Sequence, residues 1–393
     1  MQNILEGIRV LDFGRFIAGP FCAGMLADLG ADVVRIEPPG GADDRYLMPI
    51  TAGGEGAMYL QANRGKRSLT LDTAGPEGRA LLERLIASAD VVVANAPPAA
   101  LRHMGIDYDT LRAIRPDIIL TVATAFGLSG PNRDNGGFDG TGQAVSGAMY
   151  LSGPPGQPYR AATSYVDFST AISCAYGTLA AIIRRMKTGE GALVEASLVG
   201  TALNMMTPIL MEEATGARHR VPTANRSPIA GPSDLFATKD GWVLVQVLGQ
   251  KMFRRWAELV GRPDLPDDPR FATDILRGDN GAELSRIMGA WCAPRTVAEC
   301  LAALRKARIP VTHLLRPAQV LEPENGLTQT LGWMAYPGVP VPLPVAPPPA
   351  FLSGTDTATV RPAPTLGQDT EALLQDLGLD AADIGRLRAA GVV

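Results

Sequence analysis

The first 125 residues alternate between short apolar runs and segments with helical periodicity. Helices are predicted from about Pro20 and from Pro76, each with proline in its first turn and apolar side chains on one face. Four apolar runs have the length and composition of buried strands: 8–13, 32–37, 91–94 and 118–122. Apolar strands separated by amphipathic helices are typical of a parallel sheet that is covered on both faces. The pattern therefore predicts a Rossmann-like α/β domain.

The chain continues with a long apolar segment, after which the residue composition changes. Residues 168–187 have the length and composition of a mostly buried helix, and a strand is predicted at 192–197. A second apolar helix is predicted at about 199–213. Residues 217–233 are rich in Arg, Pro and Ser, which indicates a linker.

The pattern after this linker predicts a smaller α+β domain. Residues 234–247 indicate a β-hairpin whose turn is Asp240-Gly241. Amphipathic helices are predicted near 251–260, 283–293 and 296–307. Prolines dominate residues 337–364, which predicts an extended segment lying over a surface, and residues 369–393 resemble a short helical pair.

Composition narrows the class of protein. The chain has 393 residues, of which 46% are hydrophobic and 19% charged, and this composition predicts a folded, soluble protein. A formal net charge of −4 without a long basic run gives no basis for nucleic-acid binding. The start of the chain lacks the apolar core of a signal peptide, and no apolar stretch is long enough to predict a membrane span.

Cysteines and histidines are few and scattered. No two of the four cysteines form a C-x-x-C pair, and their spacings fit neither a zinc site nor a disulfide framework. Reduced, mostly buried thiols in the cytoplasm are expected. The three histidines are too dispersed to predict a metal site or a Ser-His-Asp triad.

A dinucleotide site is the obvious alternative for such a sheet. Glu37 ends the second predicted strand, where an acidic residue could hold a ribose. The glycines after the first strand are Gly14, Gly19 and Gly24, and this spacing is not G-x-G-x-x-G. NAD or FAD binding is therefore not predicted.

Asp167 is the strongest candidate for chemistry. It stands where a loop rich in Gly and Pro meets the apolar segment 168–187, and an ionised carboxylate is costly there unless it is paired, hydrogen-bonded or functional. A helix N-terminus can stabilise such a charge. The local alternative is that Asp167, or Thr163 or Ser164 before it, merely caps the helix.

Six groups of residues form recognisable motifs in order along nearly the whole chain. They are Leu5–Phe13, Ala18-Gly19-Pro20, Leu29–Glu37, Asn63–Asp72 with its N-x-x-K-R-S pattern, Gly137-Phe138-Asp139 with Gln143, Ser146 and Gly147, and Pro364–Gln368. Together these segments resemble the family III CoA-transferases, the group that includes formyl-CoA:oxalate and carnitine CoA-transferases and the α-methylacyl-CoA racemases.

The resemblance implies an acyl-CoA:carboxylate CoA-transferase in which Asp167 is the nucleophile. The carboxylate would pass through acyl-aspartyl anhydrides and an aspartyl-CoA thioester. The implied partners are an acyl-CoA donor and a small carboxylic acid acceptor. Neither a metal nor a redox cofactor is expected, because CoA enters only as a thioester substrate.

The resemblance also implies where CoA binds. A basic position of the family falls on His103, with Arg102 adjacent, whereas another falls on Pro38 and is not matched. For Arg35, Arg64, Lys66 and Arg67 the alternative is a solvated charged face. The expected CoA contacts are Ile17, Ala18, Arg35, Leu71, Asp72, Thr73, Ala74, Asn95, Ala96, Pro97, Arg102, His103, Thr124, Ala125 and Phe126.

The family fold implies an interlaced, ring-like homodimer. Each chain would place a large Rossmann-like CoA-binding domain at 1–216 and a linker with a small α+β domain at 217–325. Residues 326–393 would return to complete the large domain.

Two alternatives to the transferase remain, an α-methylacyl-CoA racemase and a catalytically silent CoA-binding protein. Racemisation needs two acid/base groups, and similar racemases carry Gly-His-Asp where this chain has Gly137-Phe138-Asp139. The phenyl ring of Phe138 can neither accept nor donate a proton, so transferase activity is expected in preference to racemisation. Phe138 and Asp139 are expected in the substrate pocket. The formyl/oxalate enzymes have a glycine-rich loop where this chain has residues 227–233, so oxalate is not assigned.

Overall fold

The computed structural model describes residues 4–347 and 361–393. Within these residues the chain forms eleven β-strands and sixteen α-helices. The strands are β1 (Arg9–Asp12), β2 (Asp32–Glu37), β3 (Arg67–Thr70), β4 (Val91–Ala94), β5 (Ile119–Thr124), β6 (Ala192–Ser197), β7 (Ser233–Ala237), β8 (Trp242–Gln246), β9 (Val311–His313), β10 (Gly332–Met334) and β11 (Leu343–Val345). The helices are α1 (Ala18–Asp28), α2 (Ala57–Ala62), α3 (Pro76–Ser88), α4 (Pro98–Met104), α5 (Tyr108–Ile114), α6 (Asp139–Val145), α7 (Ala148–Leu151), α8 (Tyr165–Thr188), α9 (Leu198–Ala214), α10 (Gln250–Leu259), α11 (Asp274–Asp279), α12 (Gly281–Cys292), α13 (Val297–Lys306), α14 (Pro317–Val320), α15 (Thr370–Asp376) and α16 (Ala381–Ala389).

The chain divides into two compact units. The large unit comprises Met1–Ser146, Ala162–Met206 and Gln329–Val393, and the small unit comprises Gly147–Ala161 and Thr207–Thr328.

A six-stranded parallel sheet forms the centre of the large unit. Its strand order is β3-β2-β1-β4-β5-β6, and the strand order reverses between β1 and β4. The predicted Rossmann-like sheet is confirmed. Five of its strands were predicted, four of them as apolar runs, whereas β3 carries Arg67, Ser68 and Thr70 and lacks such a run.

Both faces of this sheet are covered, as the alternation of strands and helices predicts. On one face, Leu11 and Val92 pack in a core with α3, α5, α15 and α16. On the other face, Val10 and Val93 pack in a core with α1 and α8. Because side chains alternate along a strand, both sets must be apolar, which explains the continuous apolar runs.

Helix α8 is long and apolar enough to cross a membrane by length and composition alone. A core helix of a soluble protein passes the same test. One face of α8 packs on the sheet and α1, where Thr178 and Thr121 share a hydrogen bond of 2.6 Å. Those buried contacts account for part of its apolar composition.

The small unit contains the predicted β-hairpin. Strands β7 and β8 pair antiparallel, and β9 adds to β8. Helices α10, α12 and α13 confirm the three predicted amphipathic helices, and they supply core side chains such as Trp256, Leu284 and Leu304 to pack against Phe236.

The end of the chain packs within the large unit. Asp369 accepts a hydrogen bond from the Ser68 N–H at 2.8 Å, and Thr370 contacts Thr70. The predicted helical pair is confirmed as α15 and α16. Of the proline-dominated segment 337–364, residues 348–360 lie outside the described residues.

Candidate active site

A cavity of about 570 Å³ lies in the large unit, where β1, β4 and β5 end. Its walls include residues 15–18, 95–97 and 123–125, which end or follow these strands. The remaining wall comes from residues in 133–141, Asp167 and Leu198. The edge where parallel strands end and their order reverses is the usual ligand site of such sheets.

Asp167 reaches this cavity from the first turn of α8. Phe168 beside it packs edge-on against Phe21 of α1 at 4.9 Å between ring centroids, which holds this turn in place. Among the described residues, none donates a hydrogen bond to the Asp167 side chain. Burial, followed by the nearby charge of Asp139, raises the pKa of Asp167 to about 7.

Asp139 holds the beginning of this helix. One oxygen of its buried carboxylate accepts the N–H groups of Val166 at 2.8 Å and Asp167 at 3.3 Å. The Gln143 amide donates to the other oxygen at 2.6 Å. Gly142 permits this approach, because a Cβ there would lie 2.7 Å from Val166 Cγ1. Asp139 therefore supports the helix that carries Asp167 and does not line the cavity.

The hypothesis that local residues cap α8 is wrong. Ser164 occupies the N-cap position and makes no side-chain capping hydrogen bond. Asp139, which lies 28 residues before Asp167 in the chain, satisfies the free backbone N–H groups instead. Asp167 is thereby left free for another role.

Two phenylalanines form an aromatic wall of the cavity. Phe16 and Phe138 meet edge to face at 5.6 Å between ring centroids, and Phe138 is 66% exposed. Phe16 has a positive φ of 62°, and its N–H donates to Asp44 Oδ2 at 3.1 Å. Such a conformation is unusual for a bulky residue and indicates a tightly constrained loop.

Comparisons with known proteins show the family of this chain. The profile described as CoA-transferase family III matches residues 5–370. The chain belongs to CoA-transferase family III.

Relatives of known name are similar to the chain over most of its length. The succinyl-CoA–D-citramalate CoA-transferase of Chloroflexus aurantiacus is 32% identical over 99% of this chain and 98% of its own. The succinyl-CoA:glutarate CoA-transferase of Homo sapiens is 32% identical over 100% of this chain and 91% of its own. A CaiB/BaiF family protein of Brucella suis has a crystal structure with a TM-score of 0.81, 30% identity and coverage of 96% and 100% of the two chains. The resemblance seen in the sequence is confirmed, and this protein is a CoA-transferase.

Within this family III transferase, part of the expected CoA set lines the cavity with Asp167 and Phe138. These residues are Ile17, Ala18, Asn95, Ala96, Pro97, Thr124 and Ala125. They come from three separate segments because parallel strands end at one edge of the sheet.

The other expected CoA contacts lie outside the cavity lining. Leu71 is part of the core below the sheet edge, while Asp72, Arg102 and His103 are exposed. Thr73 and Phe126 are half-buried, and Ala74 is exposed. Asp72 and Ala74 after β3, and Arg102 and His103 in α4, remain accessible, so their proposed contacts with CoA stay predictions.

Arg35 occupies a different environment from the one expected. Its side chain is fully buried in β2, where it pairs with both Asp44 oxygens at 2.9 Å and lies 3.3 Å from Glu37. Lys66 is also buried and donates to Asp12 at 2.6 Å and to the Asn63 side chain at 2.7 Å. Arg35 therefore holds the loops after β1 and β2 together and does not line the cavity.

The alternative of a solvated charged face is wrong for Arg35, Arg64 and Lys66. All three are buried, and Arg64 pairs with Asp28. These cations can be buried because carboxylates from distant segments of the chain neutralise each of them.

Arg15 is one of the cavity residues that the sequence reasoning missed. Its N–H donates to Asn95 Oδ1 at 2.6 Å, and its carbonyl accepts from Asn95 Nδ2 at 2.7 Å. Asn95 was expected to contact CoA, and it also fixes this loop. The sequence feature that could have pointed to Arg15 is its position as a basic residue shortly after a buried strand.

The described residues contain no cluster of His, Cys, Asp and Glu able to hold a metal ion. Their four cysteines are free and buried, and burial raises the pKa of Cys292 to about 12. The candidate groups for chemistry in the described cavity are therefore Asp167 and the arginines that line it.

Proposed function

We propose that this protein transfers CoA from an acyl-CoA to a carboxylic acid with Asp167 as the covalent nucleophile. The observation that carries the proposal is the position of Asp167, a carboxylate in the cavity without a hydrogen-bond donor among the described residues. A pKa of about 7 leaves a substantial fraction of Asp167 ionised near neutral pH.

The exchange needs only carboxyl and thiol groups. An Asp167 oxygen attacks the thioester carbonyl, the carbon–sulfur bond breaks, and an acyl-aspartyl anhydride and CoA thiolate form. The thiolate attacks the aspartyl carbonyl, which releases the donor acid and leaves an aspartyl-CoA thioester.

The second half of the reaction reverses these steps with a new acid. The acceptor carboxylate attacks the aspartyl carbonyl and expels CoA thiolate, which forms a second anhydride. The thiolate then attacks the acyl carbonyl, and Asp167 leaves as a carboxylate. Each bond that breaks is matched by one that forms, so no proton, metal or electron is consumed.

Backbone donors for the developing oxyanion must come from other positions than the start of α8. The N–H groups of Val166 and Asp167 already donate to Asp139. These two N–H groups hold the start of α8, and donors elsewhere in the cavity would stabilise the oxyanion.

The test is steady-state transfer with the variants Asp167→Ala and Asp167→Asn. Both should abolish transfer while circular dichroism and the unfolding midpoint show a folded protein. Asp383→Asn is a matched control, since Asp383 is also the third residue of a helix, α16, but lies outside the cavity. More than a trace of activity in either Asp167 variant would contradict the proposal.

We also propose the interlaced homodimer that the family fold implies. Four exposed apolar side chains recur along α8 at spacings of four, seven and three residues, which places them on one stripe: Ile172, Tyr176, Ile183 and Met186. An exposed apolar stripe of this kind supports burial against a second chain. Sizing at nanomolar concentration should show a dimer that dissociates only on unfolding, and a stable folded monomer would contradict the topology.

A further inference from the structure

Arg15 lines the cavity without a close carboxylate partner among the described residues. Its Nη1 donates to the carbonyl oxygens of Gly14 at 2.8 Å and of Phe13 and Ile36 at 3.3 Å. Among the described residues, no carboxylate lies within 4.0 Å of its guanidinium. Burial, followed by the charge of Arg35, lowers the pKa of Arg15, while the more distant carboxylates of Asp44, Asp12 and Glu37 act against this shift.

The neighbouring cations are all paired. Arg35 pairs with Asp44, Arg45 pairs with Glu37, and Lys66 pairs with Asp12. The acids closest in the fold are thus committed to other partners. Arg133, the second basic residue of the cavity wall, is exposed and lies 3.3 Å from Asp134. Arg15 differs from Arg133 because it is largely buried and has no carboxylate within 4.0 Å in the described part of the chain.

Arg15 is held rigidly in this position. Asn95 bonds both its N–H and its carbonyl, and three carbonyl oxygens fix one end of its guanidinium. The next residue, Phe16, is constrained at a positive φ. A guanidinium fixed at one end presents its remaining N–H groups in a defined direction, which suits a carboxylate.

We propose that Arg15 binds the second carboxylate of a dicarboxylic acid while Asp167 exchanges the first. This inference rests on the proposed function and narrows its substrate class to dicarboxylic acids and their mono-CoA thioesters. The same cavity is also lined by nonpolar residues, including Phe16, Ala125 and Phe138, which suit the methylene chain that joins the two carboxylates. Arg15 is then a specificity-determining residue that touches substrate.

Another anion available to Arg15 is a phosphate of CoA, and matched substrates distinguish the two sources. Succinyl-CoA and butyryl-CoA share all phosphates and the chain length, but only succinyl-CoA carries a second carboxylate. Succinate and butyrate, or glutarate and pentanoate, make the same comparison for the acceptor. A phosphate contact would affect both donors equally.

The experiment measures kcat/KM for each substrate pair with the full-length wild type, Arg15→Gln and Arg15→Lys. The wild type should prefer the dicarboxylic member of each pair. Arg15→Gln should lower kcat/KM for the dicarboxylic substrates by about tenfold to hundredfold, the range expected for a lost charge-assisted contact. The monocarboxylic substrates should change little, and Arg15→Lys should restore part of the preference.

Arg255→Gln is the matched control. Arg255 also donates to main-chain carbonyls, those of Ala307 at 2.9 Å and Arg308 at 3.0 Å, but it lies in the small unit. It should leave the substrate preference unchanged, which separates loss of a carbonyl-bonded arginine from loss of Arg15 itself.

Three outcomes would overturn the inference. A wild type that prefers monocarboxylic substrates would exclude a carboxylate receptor, even if Arg15→Gln does not fold, and would leave the role of Asp167 intact. Equal losses for succinyl-CoA and butyryl-CoA would assign Arg15 to CoA. A wild type that transfers CoA to no acid would overturn both this inference and the proposed function.

Discussion

The charge of Asp139 should raise the pH at which Asp167 becomes ionised and able to act as a nucleophile. Asp139→Asn removes that charge but keeps an oxygen that can accept the N–H groups of Val166 and Asp167. The Gln143 amide can reverse its orientation to accept from the new side-chain amide. The substitution therefore changes the electrostatics while the start of α8 stays supported.

The size of the effect follows from the causes of the raised pKa. The pKa of Asp167 rises from 3.8 to about 7, with burial as the larger cause and Asp139 as the smaller. Removing the smaller cause should lower it by about one unit, less than half of the shift. At pH 6 the ionised fraction of Asp167 would then rise from roughly one tenth to about one half.

The assay is the pH profile of kcat/KM, which reports ionisations of the free enzyme. The wild-type acid limb should have a midpoint near pH 7, and Asp139→Asn should move it down by about one unit. Activity at pH 6 should rise about fivefold, with no gain at pH 8.5. The control Asp134→Asn removes an exposed, solvent-screened charge and should leave the midpoint unchanged.

A midpoint that stays fixed or moves upward in Asp139→Asn would refute the coupling between the two carboxylates. A loss of activity at every pH with a lower unfolding temperature would refute the assumption that asparagine supports α8.

Three further predictions concern stability and reaction type. Folded Asp167 holds its proton to higher pH than Asp167 of the unfolded chain, so its ionisation destabilises the fold as pH rises from about 4 to 7. Asp167→Asn should therefore raise the unfolding midpoint more at pH 8 than at pH 5. An equal change at the two pH values would contradict this prediction. Lys66→Met leaves the buried Asp12 without its closest cation, so urea unfolding should show that the free energy of unfolding falls by about 3 kcal/mol or more. A fall of less than about 1 kcal/mol would contradict this pairing. When the enzyme is incubated with a 2-methylacyl-CoA in deuterated water, NMR should show no deuterium uptake at the α-carbon at a catalytic rate, because Phe138 cannot transfer a proton. Rapid uptake would favour a racemase.

Hydrophobic patterning predicted the parts of the fold that depend on burial. The central residues of β1 and all of β4 are apolar because helices cover both faces, and that signal is visible in the sequence. β3 was missed because Arg67 and Ser68 interrupt its apolar pattern. The division into 1–216, 217–325 and 326–393, with its interlaced dimer, stays a prediction.

The candidate site was partly visible in the sequence. Asp167 stood out because a carboxylate at the start of an apolar helix needs a reason, and the structure places it in the cavity. Arg15 carried no recognisable motif, since its exposure to the cavity depends on Asn95 and on how the distant carboxylates are paired. Burial of Arg35 could not be predicted for the same reason, because neutralisation by Asp44 is a tertiary property.

The central claim is that Asp167 carries a covalent aspartyl intermediate. The most direct measurement is mass spectrometry of peptides from enzyme that turns over acyl-CoA in the presence of hydroxylamine. An aspartyl hydroxamate is predicted on the peptide that contains Asp167, only when acyl-CoA is present, and absent from Asp167→Asn. Modification at a different residue, or turnover without any modification at Asp167, would contradict the account.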